Sequence, residues 1–242
     1  MFSPLLAGFL LAVLDWQTVL QIAVVPAALM GIVFVALANK VPQRHASSAI
    51  SRTDLVAFIR QWRTRAGLRL VGSISAYNMA LFALMTMTPL FAQRVLDFSP
   101  AQAGMAFAAA MLVGSVGQPL IGRLSDRSSR VGVFVFGLVS AAVLIGAALL
   151  TTAPLAILGL LTGAMGVLVA IRSGILAMAI DHASEREATA LGFIFVLLDG
   201  VGALGAVLAG LVGDFDLRFS FLLAAGLSLA SVAVVTLMKG RQ

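Results

Sequence analysis

Seven apolar runs, each of membrane-spanning length, leave this chain few ways to fold. They cover residues about 18–38, 70–92, 101–122, 131–151, 154–178, 188–212 and 218–238. A spanning helix needs roughly 20 apolar residues to cross a hydrocarbon core of ~30 Å. The runs are too long for barrel strands and lack their strict alternation. Glycine and alanine recur along them, as they do where membrane helices pack closely. The expected fold class is therefore an all-α polytopic membrane protein, with short connections that make consecutive helices antiparallel neighbours. Composition agrees, since 61% of the residues are hydrophobic and 11% are charged, against about 25% charged in soluble domains.

The net charge of +6 speaks of orientation in a membrane chain, and no nucleic-acid partner is expected. Thirteen basic residues fall on one side of the bundle: Lys40, Arg44, Arg52, Arg60, Arg63, Arg65, Arg69, Arg123, Arg127, Arg130, Arg186, Lys239 and Arg241. Only Arg94 and Arg218 fall on the other. The positive-inside rule then predicts a cytoplasmic C-terminus and an external Asp15. With no cysteine, and with His45 and His182 the only histidines, neither a disulfide nor a metal site is expected. No nucleotide-binding loop or catalytic triad is legible, so neither an enzyme nor a cofactor is expected.

Two segments depart from the spanning pattern. The opening MFSPLLAGFLLAVLDW is too short to cross, and it lacks the basic start of a signal peptide. It is expected to be the outer part of an interrupted helix. The basic connection 40–69 contains Leu55, Ile59, Trp62 and Ala66 at helical spacing on one face, with Thr53 as a candidate cap. It is read as an in-plane helix on the inner leaflet that joins two bundles, or as a lipid or protein docking site. Finally, LAGFLLAVLDWQTVLQIAV from Leu6 echoes LAGLVGDFDLRFSFLLAAG from Leu208. That similarity is either an internal repeat or a coincidence of common membrane residues. A repeat would make residues 1–39 the end of one bundle, 40–69 a linker and 70–242 a complete six-helix bundle.

The connection GQPLIGRLSDRSSR, residues 117–130, resembles the loop motif of the major facilitator superfamily, G-x-L-x-D-R-x-G-R. Gly122, Leu124, Asp126, Arg127 and Arg130 match, and Ser129 replaces the second glycine. The preceding VLDFSPAQAG, ending at Gly104, is similar to the family's turn between the first two helices of its C-terminal half. The resemblance implies a major facilitator-type six-helix bundle, plus a helical stump and one further helix from the other bundle. SPLLAG, residues 3–8, looks like the tail of the fifth-helix motif of the family's antiporters, with Pro4 and Gly8 kept. The resemblance also implies a cytoplasmic gating loop of Gly122, Arg123, Asp126, Arg127 and Arg130, which opposes Asp181, Glu185 and Arg186 in the next cytoplasmic loop. Elementary chemistry gives that loop a role as a breakable latch. Asp126 is expected to accept from free backbone N–H groups of a neighbouring helix. The arginines are expected either to bind the acids or only to mark the inner side.

Two ionisable residues fall inside spans: Asp199 near the middle of 188–212, and Arg172 in the inner third of 154–178. An intramembrane charge costs at least ~2.5 kcal/mol, so each is a functional candidate. Asp199 is read as a protonatable coupling group, or alternatively as half of a static ion pair with Arg172. In the family the first and fourth helices of each repeat line the central cavity. The resemblance thereby implies Tyr77, Asn78, Arg172 and Ser173 near a small-molecule substrate, with interhelical hydrogen bonding the alternative for Asn78.

The reading that follows is an integral protein of the bacterial inner (plasma) membrane. It is expected to be part of a secondary transporter that couples efflux of small molecules to protons by alternating access. Its partners would be the lipid bilayer and the missing N-terminal helices, supplied in cis or in trans. The second reading is a polytopic scaffold or assembly partner without transport of its own.

Overall fold

The structure, a computed structural model, describes residues 14–38, 60, 62–183 and 192–236. Pro4, Gly8, Glu185, Arg186 and most of the 40–69 connection lie outside these. Among the described residues seven helices are long and apolar enough to cross a membrane. They are Gln17–Leu37, Arg65–Arg94, Pro100–Arg127, Arg130–Leu150, Pro154–His182, Gly192–Gly213 and Leu217–Thr236. Each overlaps one of the seven apolar runs, and there is no strand among the described residues. The fold is all-α and polytopic.

The individual elements are α1 (Trp16–Ala38), α2 (Arg65–Arg94), α3 (Pro100–Arg127), α4 (Arg130–Leu150), α5 (Pro154–Ala170), α6 (Arg172–Ala183), a π-helical turn (Val196–Val201), α7 (Gly202–Gly213) and α8 (Leu217–Thr236). Their starts are chemically marked. Ser99 and Gln102 form a reciprocal capping box before Pro100, which satisfies amides that lack a partner in the helix. The Thr64 hydroxyl accepts from the Gly67 N–H at 3.2 Å, and Ser129 accepts from Gly132 at 3.1 Å. Ahead of α1, Asp15 accepts from the Thr18 hydroxyl at 2.6 Å and from the Thr18 N–H at 3.2 Å. Those two bonds hold its carboxyl below the usual aspartate range, because both favour the charged form.

The Thr64 cap changes the reading of the basic connection. Helix α2 begins at Arg65 rather than near residue 70. Trp62 does not share a surface face with Ala66: it is 4% exposed, whereas Ala66 is exposed. Its ring meets His182 and Phe193 edge-on, at 5.0 and 5.2 Å between centroids. The turn before α2 separates the two residues, and burial of a large ring outweighs the periodicity that would have aligned them.

Helix α2 is the centre of the bundle. It packs most extensively against α8 and α7, and also touches α3, α5 and the π-helical turn. Between α2 and α8, Ser73 and Ser231 exchange bonds: each hydroxyl reaches the other residue's carbonyl, at 3.1 and 2.8 Å. Phe91 and Phe221 meet edge-on further along the same seam. Between α2 and α7 the approach is closer still, because a Cβ at Gly205 would run into the Met79 backbone and one at Gly202 into the Asn78 amide. Small residues at a membrane-helix interface gain van der Waals contact that lipid cannot outcompete. Gly205→Ala is accordingly expected to cost about 1–3 kcal/mol by overpacking. Gly210→Ala, with nothing within 4 Å of its added methyl, is expected to be neutral or slightly stabilising. Thermal unfolding of the two variants in detergent checks the contrast.

Candidate functional site

The two intramembrane charges lie at or next to irregular points of their spans. The fifth span breaks at Ile171, a turn residue between α5 and α6, and Arg172 is the first residue after it. Asp199 lies within the π-helical turn Val196–Val201. Such turns insert an extra residue and are frequent at functional sites. The geometry brings the pair together, with Arg172 Nη2 3.7 Å from Asp199 Oδ1. The aspartate side chain is 64% exposed and the arginine 29%. The contact therefore lies at the edge of the bundle, with the carboxylate turned outward.

Asn78 stands beside the same turn. Its amide is fully buried, neither its oxygen nor its nitrogen has a hydrogen-bond partner among the described residues, and Gly202, at the end of the turn, packs against it. A buried amide without partners is costly, worth roughly 1–3 kcal/mol per group. Tyr77 differs. It is fully buried, its hydroxyl donates to the Leu168 carbonyl at 2.7 Å, and its ring meets Phe134 edge-on at 5.8 Å. Tyr77 therefore joins α2, α4 and α5 inside the bundle. Ser173 likewise holds helices together, donating to the Gln118 carbonyl at 3.1 Å. Gln118 in turn donates from Nε2 to the Val169 carbonyl at 3.1 Å. Of the four residues placed near substrate by resemblance, only Arg172 carries a charge beside an open face.

At the basic end of the bundle, Arg130 is the pivot of the loop. One guanidinium nitrogen donates to Asp181 and the other to Asp126, the latter at 3.3 Å. The first turn of α4 is served by Ser129, and the Asp126 carboxylate, 62% exposed, turns to Arg130 one helical turn on. Ser129, the departure from the family's glycine, has φ of −120°. An ordinary residue adopts that backbone without strain, and its hydroxyl supplies the cap. Gly122 lies under Ser173, whose hydroxyl would be 3.8 Å from an added Cβ. Arg123 and Arg127 are exposed and have no ion pair among the described residues.

This loop falls within the part of the chain matched by a family model described as Major Facilitator Superfamily, over residues 94–241. The chain belongs to the major facilitator superfamily. No curated protein matches it. Members of the superfamily are transmembrane transporters, and the chain is accordingly an integral membrane protein of a transporter family rather than of an enzyme family. The match takes in α3 to α8, including the Arg130 loop, Arg172 and Asp199.

The superfamily loop and the core tyrosine make separable predictions. Tyr77→Phe is expected to lower stability by about 0.6 kcal/mol, the average for a hydrogen bond between membrane helices. A change in substrate affinity at unchanged melting temperature would contradict its placement in the core. Arg130→Gln breaks two partly exposed pairs, and its expected cost is only about 0.2–1 kcal/mol per pair. Thermal unfolding at low and high salt measures it, with the difference from the unmodified chain shrinking as salt rises.

Proposed function

We propose that this protein is a secondary transporter that exports small molecules in exchange for protons. The observation that carries the reading is the position of Asp199: a carboxylate in a π-helical turn, inside a span, facing outward and within 3.7 Å of Arg172. An ionisable side chain inside a span is costly to keep there and marks ion pathways and proton relays, and Asp199 is the coupling group in this reading. Protonation then removes an intramembrane charge and lowers the cost of rearrangement. The turn at Ile171 and the π turn are the natural places for that rearrangement, since each is a local departure from regular α-helix within a span. In this reading the Asn78 amide, unpartnered beside the π turn, bonds its backbone or Asp199 in another conformation.

The outward face requires a second surface for alternating access. A second helical bundle, in cis or in trans, covers the side that carries Asp199 and encloses the substrate path between the two. The Arg130 bridge to Asp126 and Asp181 acts at the cytoplasmic side of the plasma membrane as a latch, weak enough to open in each cycle.

Reconstitution in proteoliposomes, with and without co-expressed N-terminal helices of the superfamily, tests the proposal. Substrate efflux driven by an imposed pH gradient is the expected result. In Asp199→Asn, efflux is expected to lose its dependence on the gradient while exchange down a substrate gradient persists. Unchanged pH dependence in that variant would remove Asp199 from coupling. Absence of transport under every condition would favour the scaffold reading instead.

A further inference from the structure

Helices α3 and α4 are consecutive and are joined only through Ser128 and Ser129, yet they touch each other little. Both lean instead on α5, which packs extensively against each of them. The result is a groove of about 570 Å³ at the basic end of the bundle, with α5 as its floor. Leu124 of α3 and Val133 and Phe136 of α4 form the walls, and Val167 and Ile171 lie beneath. Gly137 seats α4 on Ile171, because a Cβ there would run into that side chain. The walls are open to the surroundings, with Leu124 53% and Phe136 75% exposed. From Gly132 to Ser140, both of which line it, the groove runs about 12 Å along α4 at the helical rise.

The mouth has different chemistry. Ser128 and Ser129 line the end of the groove nearest the loop. Ser129 uses its oxygen as an acceptor for Gly132, which leaves its O–H able to donate. Arg127 adjoins Ser128 in sequence, and Arg123 adjoins the wall residue Leu124. Arg130 is occupied by Asp126 and Asp181. Arg123 and Arg127 are exposed and without an ion pair among the described residues, so that their charge is free for an anion on the side of α3 and the loop from which the groove opens.

We infer that this groove is a binding site for an anionic glycerophospholipid. One acyl chain lies between α3 and α4 on α5, and the phosphate sits at the mouth against Arg127, Arg123 and the Ser129 hydroxyl. The apolar walls match a hydrocarbon chain, and the charge at the mouth selects the headgroup. The site differs in place and chemistry from the Arg172–Asp199 pair. It does, however, border both Ile171, where the fifth span breaks, and the Arg130 loop. A bound lipid would thus stiffen the side of the bundle against which the helix break works.

Native mass spectrometry of the full chain in mild detergent tests this, with phosphatidylglycerol and phosphatidylcholine of matched acyl chains added in turn. The unmodified chain is expected to retain phosphatidylglycerol at least about five-fold more than phosphatidylcholine, the preference of one arginine near a lipid surface. Arg123→Gln with Arg127→Gln is expected to bring phosphatidylglycerol down to the phosphatidylcholine level and leave the latter unchanged. Val133→Phe with Ser140→Phe, which fills the groove, is expected to remove retention of both. Inorganic phosphate in excess is expected not to displace the lipid, since it cannot use the groove. Equal retention of the two lipids by the unmodified chain would overturn the proposal, and so would undiminished phosphatidylglycerol in a folded groove-filled variant. Should that variant fail to fold, the arginine pair on the surface decides alone: an unchanged preference in it overturns the assignment.

Discussion

A bilayer core offers no water to backbone amides and carbonyls, and most of this structure follows from that constraint. Every span must close its own hydrogen bonds, so long unbroken helices are the default. Departures are tolerated only where protein contacts compensate them. Prolines interrupt α1, α2 and α3, and two further departures stand among the described residues, the turn at Ile171 and the π-helical segment Val196–Val201. Each of these two lies at or next to one of the ionisable residues Arg172 and Asp199. Irregular backbone and charged side chain are thereby gathered at one edge of the bundle, where Arg172 and Asp199 meet.

Helix α2 holds the remainder in place. Its interfaces with α7 and α8 rest on different physics. Toward α7, glycines let the backbones approach until no methyl group fits. Toward α8, paired serines satisfy one another inside the apolar core. The Tyr77 hydroxyl extends the same logic to α5. A hydrogen bond between membrane helices contributes only about 0.6 kcal/mol on average, so these bonds specify the register of packing more than they supply its strength. Asn78 is the exception in this core, a buried amide left without a bond beside the π turn. Its unmet valence links the rigid seam of α2 to the least regular part of the sixth span.

The loop at the basic end shows how a motif residue can be recognised while its contact is not. Arg130 and Asp181 were paired by charge and by their shared side of the membrane, and they do meet. Asp126 bonds Arg130 as well, a contact that spacing did not announce, while Ser129 caps the first turn of α4. Likewise Trp62 fits an amphipathic face by spacing alone, but a turn two residues later buried it against His182 and Phe193.

The sequence by itself determined the number, type and approximate limits of the spanning helices, because length and hydropathy suffice when the solvent is hydrocarbon. It also singled out Asp199 and Arg172, since an ionised group in an apolar run is conspicuous without any structure. Only the tertiary structure decided which polar residues serve packing and which face outward. Tyr77, Ser173 and Gln118 are as polar in sequence as any substrate ligand, and their bonds to Leu168, Gln118 and Val169 became visible only when α2, α3, α5 and α6 were brought together. The π turn at Asp199 left no mark in the sequence either. Its extra residue depends on how the sixth span packs against α2, a long-range contact that local composition does not encode.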